Sequence, residues 1–281
     1  MLATPKQVIL DSDLQRQIAL YLQLLRLAPY SDRITVTPLQ PAGIVDVALR
    51  AGILQRVEGG ALALTQKHAA SLAYYRNNVL HLFAMPSLLA CCFISNVAMT
   101  GSDLQRLAWR IYPYIAAELF LRWDESELEA VVDRCLGALR DVGLLQEGNA
   151  NSEWRAVPAA SPEAMQLSLL AQPMLQAIER YYLAIALLLR AGSGVLTQAQ
   201  LEQHCQDMAR RMVTLYGFYS PEFFDRALFE GFLGLLRRRG VIRADGEGKL
   251  VFDEVLEQIA SDAQLVLSEQ LRHSILQVVH S

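Results

Sequence analysis

Apolar residues recur at helical spacing along most of this chain. Leu14, Ile18, Tyr21, Leu22 and Leu25 share one stripe with Arg16, Gln17 and Gln23 between them, which predicts an opening amphipathic helix. Ala28-Pro29-Tyr30-Ser31-Asp32 ends it. Thr35, Pro38 and Pro41 punctuate an extended connection, because prolines exclude helix continuation, and a short helix then runs to Arg50. Other helix starts are marked by hydroxyl caps. Ser126-Glu127-Leu128-Glu129 and Thr197-Gln198-Ala199-Gln200 fit the capping box, and Ser161-Pro162 and Ser220-Pro221 place a cap before a proline at the first helical position.

Three places break the helical period in the same way. Leu49-Arg50-Ala51-Gly52-Ile53-Leu54 leads to Ala61-Leu62-Ala63-Leu64, Leu139-Arg140-Asp141-Val142-Gly143-Leu144-Leu145 leads to Trp154-Arg155-Ala156-Val157, and Leu236-Arg237-Arg238-Arg239-Gly240-Val241-Ile242 leads to Lys249-Leu250-Val251-Phe252. In each, a glycine closes a helix in the left-handed conformation and a cation faces the negative helix end. Glu58-Gly59-Gly60, Gly148-Asn149-Ala150-Asn151 or Asp245-Gly246-Glu247-Gly248 then supplies a hairpin turn. The expected fold is mainly α, a multi-helix assembly with three short helix-plus-β-hairpin, winged-helix-like units. True internal duplication and convergent local grammar both fit. The expected organisation is an N-terminal helical half, 1–147, with two of the units, a linker at 148–162 rich in Gly, Asn, Ser, Ala and Pro, and a C-terminal helical half, 163–281, with the third. The two halves are expected to pack as one body.

Composition adds one tension. The 281 residues are 53% hydrophobic and only 19% charged, and the mean hydropathy is +0.22. That surplus of apolar surface points to contact with other protein or with a membrane. The uncharged run from Val79 to Ile94 is the best spanning candidate, but it contains His81, Pro86 and Ser87 and is short of the ~20 apolar residues that a bilayer needs. Gln166 to Arg190 is interrupted by Glu179 and Arg180 and reads as a buried helix. The net charge of −4 gives no general attraction for nucleic acid, and Arg237-Arg238-Arg239 spreads around a helix end rather than along one face. Cys91, Cys92, Cys135 and Cys205 have no zinc spacing and are expected as free cytosolic thiols, and the N-terminus lacks the basic-then-apolar order of a signal peptide. The acidic group Asp124, Glu125, Glu127, Glu129 and Asp133 marks a helix start and lacks EF-hand spacing. No P-loop, nucleophile elbow, HExxH or dinucleotide fingerprint occurs. No catalytic, cofactor-binding or metal residue is assigned.

Candidate structural or interface residues cluster in two phrases. The first is Tyr74-Tyr75-Arg76-Asn77-Asn78-Val79-Leu80-His81. Tyr74 and Tyr75, like Tyr181 and Tyr182, could be interfacial anchors or core aromatics, and the ~100° between adjacent helical residues favours the core. Arg76, Asn77, Asn78 and His81 could hold an anion through the guanidinium fork, but without a glycine-rich loop beside them they read better as a cross-link between helices. The second phrase is Ala117-Glu118-Leu119-Phe120-Leu121-Arg122-Trp123-Asp124, in which Glu118 and Arg122 stand at ion-pair spacing and Arg122 with Trp123 suggests a packing interface.

These two phrases, with Leu2-Ala3-Thr4-Pro5, Arg180-Tyr181-Tyr182 and Ser220-Pro221-Glu222-Phe223-Phe224-Asp225, resemble the C-terminal region of the long, membrane-associated bacterial glycerol-3-phosphate acyltransferases. The resemblance runs nearly end to end. It implies a family that moves a fatty acyl group from acyl-CoA or acyl-carrier protein to the sn-1 hydroxyl of glycerol 3-phosphate, the first step of phospholipid synthesis, using a His general base followed five positions later by an Asp. Here the positions five beyond His68, His81, His204 and His273 are Ala73, Pro86, Ala209 and Val278. The implied role is therefore non-catalytic: to brace the catalytic portion and aid association with the cytoplasmic face of the inner membrane as a peripheral protein. Leu82, Phe83 and Phe93 are the membrane-contact candidates. Implied partners are the catalytic portion and, through the whole enzyme, membrane phospholipid and acyl-carrier protein, with no cofactor and no nucleic acid. The competing expectation is a free-standing helical interaction module or winged-helix regulator.

Overall fold

The computed structural model describes residues 8–148, 152–216 and 226–280. The phrases Leu2-Ala3-Thr4-Pro5 and Ser220-Pro221-Glu222-Phe223-Phe224-Asp225, and the Ser220-Pro221 helix start, lie outside them. The fold is mainly α with small antiparallel sheets, and three helix–helix–hairpin units, the first two led by a strand, carry it. In the first, β1 (Val8–Leu10) leads into α1 (Asp11–Leu27) and α2 (Pro41–Arg50), followed by the hairpin β2 (Leu54–Val57) and β3 (Ala61–Leu64). α3 (Gln66–Val79), a 3-10 turn and α4 (Ala84–Cys92) intervene before the second unit. That unit comprises β4 (Ala98–Thr100), α5 (Gly101–Leu119), α6 (Leu128–Asp141), β5 (Leu145–Glu147) and β6 (Glu153–Ala156). The long α7 (Pro162–Ala191) leads to α8 (Gln198–Tyr216), α9 (Arg226–Arg238), β7 (Ile242–Ala244) and β8 (Leu250–Phe252) of the third unit. α10 (Glu254–Val266) and α11 (Glu269–His280) close the chain's described part.

The glycine grammar forms in all three units as one hydrogen-bond pattern. Ile53, Leu144 and Val241 donate their amides to the carbonyls of Ala48, Leu139 and Leu236 at 3.0, 2.9 and 2.9 Å. Gly52, Gly143 and Gly240 stand between at φ of 68°, 78° and 73°, a backbone that a Cβ disfavours. The pattern did not reveal a third strand in the first two units. β1 and β4 each lie outside their hairpin's second strand, giving the orders β1-β3-β2 and β4-β6-β5, and Thr197 bridges Lys249 at the matching edge of β7-β8. Strands of three residues that run straight into a helix show no alternation to read. Residues 148–162, expected as a linker, hold β6, the middle strand of the second sheet. Its Trp154 packs on the main core.

α4 positions most of the core. All nine of its residues are buried, sandwiched against α6 and α7, with α5 and α10 also in contact. The main core draws on α4, α5 and α6 and equally on α7, α9 and α10, so packing runs across residues 148–162. The first unit instead keeps a small core of Leu14, Val45, Leu54, Leu62 and Leu64, while α1 reaches the main core through Leu20 and Leu24. One of the two capping boxes differs in detail from the pattern. The Thr197–Gln200 box forms, but α6 is entered through a box made by Asp124 and Glu127, not Ser126 and Glu129. The 3-10 turn Glu125–Glu127 shifts the helix start, and Asp124 is the residue with extended backbone there. Among the described residues no helix is long and apolar enough to cross a membrane.

Candidate functional site

The densest polar arrangement lies where α5 meets α7. Arg180 is 3% exposed and donates through Nη2 to both Glu118 carboxylate oxygens at 2.6 and 2.8 Å, while the Tyr181 hydroxyl donates to Oε2 of Glu118 at 2.5 Å. The expected Glu118–Arg122 pair does not form. A long apolar helix carries Arg180 into the interior, and a buried guanidinium needs a carboxylate more than an exposed one does. Tyr181 stacks on Phe232 of α9 with ring centroids 4.4 Å apart, which ties the third unit to the same point. About two turns before Glu118 on α5, Arg110 bonds Asp262 of α10. The neighbouring carboxyl of Glu179 is 4% exposed, and burial pushes it up to about 8, only partly opposed by Arg180. The sequence signal for this network was present as charges inside an apolar stretch, but their partners were not legible.

Arg122 and Trp123 hold a different contact. The Arg122 amide donates to the Tyr30 hydroxyl at 2.9 Å, and its Nη1 reaches the Tyr30 carbonyl at 3.3 Å. The Trp123 ring packs edge-on against Tyr30 at 4.7 Å, His81 meets the same tyrosine at 5.0 Å, and the Tyr112 hydroxyl donates to the Trp123 carbonyl at 2.7 Å. The two phrases thus converge on Tyr30 in the α1–α2 connection. Of the first phrase, His81 alone joins that cluster. Arg76 donates to the Asn77 side-chain oxygen at 3.1 and 2.9 Å, and Asn77 and Asn78 are exposed. Tyr74 and Tyr75 are 66% and 63% exposed, against the core reading, because α3 lies on the surface. Tyr181 and Tyr182 are buried.

Of the membrane-contact candidates, Phe93 is a core residue at 5% exposure and Phe83 packs on Tyr21 at 4.9 Å. Leu82 is half-buried. The uncharged stretch is apolar because α4 is covered on all sides by protein, which corrects the assignment of Phe93 to a lipid face. A groove of about 520 Å³ opens nearby, between α1, α2, α3 and α7, with Tyr75 and Arg76 among its walls.

Burial raises the thiols of Cys92 and Cys135 to about 12 and those of Cys91 and Cys205 upward as well, which leaves them protonated and unreactive at neutral pH. Among the described residues no three His, Cys, Asp or Glu side chains gather as a metal site.

Residues 1–245 match the family described as glycerol-3-phosphate acyltransferase, C-terminal region. A glycerol-3-phosphate acyltransferase of Xanthomonas axonopodis pv. citri (strain 306) is 40% identical over 285 residues, which is 99% of this chain and 32% of that protein. One from Pseudomonas aeruginosa (strain UCBPP-PA14) is 41% identical over 282 residues, 99% of this chain and 34% of that protein, and one from Xylella fastidiosa (strain M12) is 39% identical over 280 residues. The chain spans about a third of the length of the curated relatives it matches. On these matches it belongs to the glycerol-3-phosphate acyltransferase family, within that family's C-terminal region.

Proposed function

We propose that this chain is the non-catalytic portion of a glycerol-3-phosphate 1-O-acyltransferase and braces the catalytic portion, which transfers an acyl group from acyl-CoA or acyl-carrier protein to glycerol 3-phosphate. One observation carries the reading: the chain aligns end to end with about a third of each relative, yet no His in it is followed five positions later by an Asp. The build supports it. Glu118, Arg180 and Tyr181 are spent on one another, and the thiols are held protonated, so the interior is organised to be rigid rather than reactive. We place the assembled enzyme at the cytoplasmic face of the inner membrane as a peripheral protein, where its phospholipid product is used, and assign the membrane contact to surfaces other than the buried α4.

The test is activity. The purified chain alone should release no CoA from acyl-CoA in the presence of glycerol 3-phosphate. Coexpression with the part of the Pseudomonas aeruginosa relative outside the match should give a copurifying complex with that activity. Turnover by the chain alone would overturn the non-catalytic reading, and failure to copurify would overturn the bracing one. A second reading rests on the strand orders β1-β3-β2 and β4-β6-β5, which we take as winged-helix-like. A regulator of that kind would bind duplex DNA with affinity falling steeply in salt, and the net charge of −4 weighs against it.

A further inference from the structure

Aligned on their capping glycines, the three units correspond residue by residue along the helix before the hairpin. Ile44, Val45 and Ala48 of α2 match Cys135, Leu136 and Leu139 of α6, and Phe232, Leu233 and Leu236 of α9. In the second unit these three are 4%, 1% and 0% exposed, and in the third 5%, 0% and 0%. The reason is a helix laid across the face: α4 packs on α6, and α5 and α7 pack on α9. In the first unit only Val45 is buried, as the single buried residue of α2, whose main neighbours are α1 and β2. Ile44 and Ala48 are left half-buried and form a wall of the 520 Å³ groove, with Ile18, Leu72, Val79 and Pro173 across from them. One face therefore takes a helix twice and, among the described residues, stands open once.

We propose that this groove seats an amphipathic α-helix from the part of the acyltransferase polypeptide that the relatives carry outside the match. The inference rests on the bracing reading and adds its place of contact. A helix is the occupant because the equivalent faces are closed by helices, α4 on α6 and both α5 and α7 on α9, and because α2 presents apolar residues at helical spacing into which i, i+3/i+4 and i+7 anchors fit. The relatives supply the length, since about two-thirds of each lies outside the matched region.

The full chain is coexpressed with that part of the Pseudomonas aeruginosa relative, and association is measured on the purified components. Ile44→Glu and Val79→Glu should each weaken association at least tenfold, while Val97→Glu, at a side chain 75% exposed outside the groove, should leave it unchanged. Val79 is 46% exposed, so its variant keeps the test valid should Ile44→Glu fail to fold. A benzophenone side chain at position 75 should crosslink to partner residues spaced three or four apart. If wild type associates and both glutamate variants associate equally well, the groove is not the seat and bracing survives. If wild type does not associate, both ideas fall. Crosslinking to a second copy of this chain, or groove-dependent binding of phosphatidylglycerol vesicles without binding of the partner, would also overturn the assignment.

Discussion

The first unit and the second share a topology, a cap and a strand order, yet they are held differently. The second is built into a core that it shares with α4 and α7; α6 buries Leu128, Val131, Val132, Cys135, Leu136, Ala138 and Leu139. The first has a core of its own, of five buried side chains, and α2 contributes one of them. Identical local grammar thus yields one integrated and one semi-independent module. The difference lies in what covers the helix face, since a small core supplies little stability and its unit can open before the rest.

The largest expected effect lies on the integrated side. Arg180→Ala removes the buried cation that pairs with Glu118, and should cost about 3–5 kcal/mol, read as a lowered midpoint in denaturant. A Glu118→Leu, Arg180→Met pair should recover most of it, because a well-packed apolar pair needs no counter-ion. If the single variant melts like wild type, the network is not what joins α5 to α7.

Truncations at the matched positions come next. Leu136→Ala should destabilise the whole chain by about 2–5 kcal/mol. Val45→Ala, the same place in the first unit, should leave the main transition nearly unmoved and speed amide exchange in β2 and β3 alone. Equal loss of global stability from both would show that the two cores melt as one.

A buried acid separates the regions further. The folded-state value of Glu179 lies at about 8, above the ordinary 4.5, so between those values the folded chain keeps a proton that the unfolded chain has released. Stability should fall as pH rises from 4.5 towards 8, by up to about 1.4 kcal/mol per pH unit, with no further loss above it. Glu179→Gln should flatten this slope in denaturant melts of the main core. Unfolding of the first unit, followed by exchange in β3, should not show the slope. The smallest expected difference is a null one between the regions. Gly52→Ala and Gly143→Ala should each cost about 1 kcal/mol, since both stand at positive φ with open space where a Cβ would go. Unequal costs, corrected for local opening, would mean that the caps are not equivalent.

What was legible follows from range. The helices of the repeated units, the buried character of α7 and the capping glycines depend on residues a few positions apart, and each was readable. The leading strands were not, because three residues carry no period, and neither was the exposure of Tyr74 and Tyr75, which depends on where α3 lies among the described residues. Glu118 shows the limit well. Its spacing to Arg122 allowed an ion pair, but an exposed pair is worth a few tenths of a kcal/mol, while the buried guanidinium of Arg180, 62 residues away, had no adequate alternative.

The chain's own order of residues determined the repeated turn, its three helices closed by glycine and the family to which it belongs, because short-range hydrogen bonding and backbone sterics act within a few residues. Tertiary structure alone decided which helix faces are covered. It drew α4 inside as protein core, gave Glu118 to Arg180, and left the face of α2 open among the described residues, because burial is a competition among distant segments for the same apolar surface.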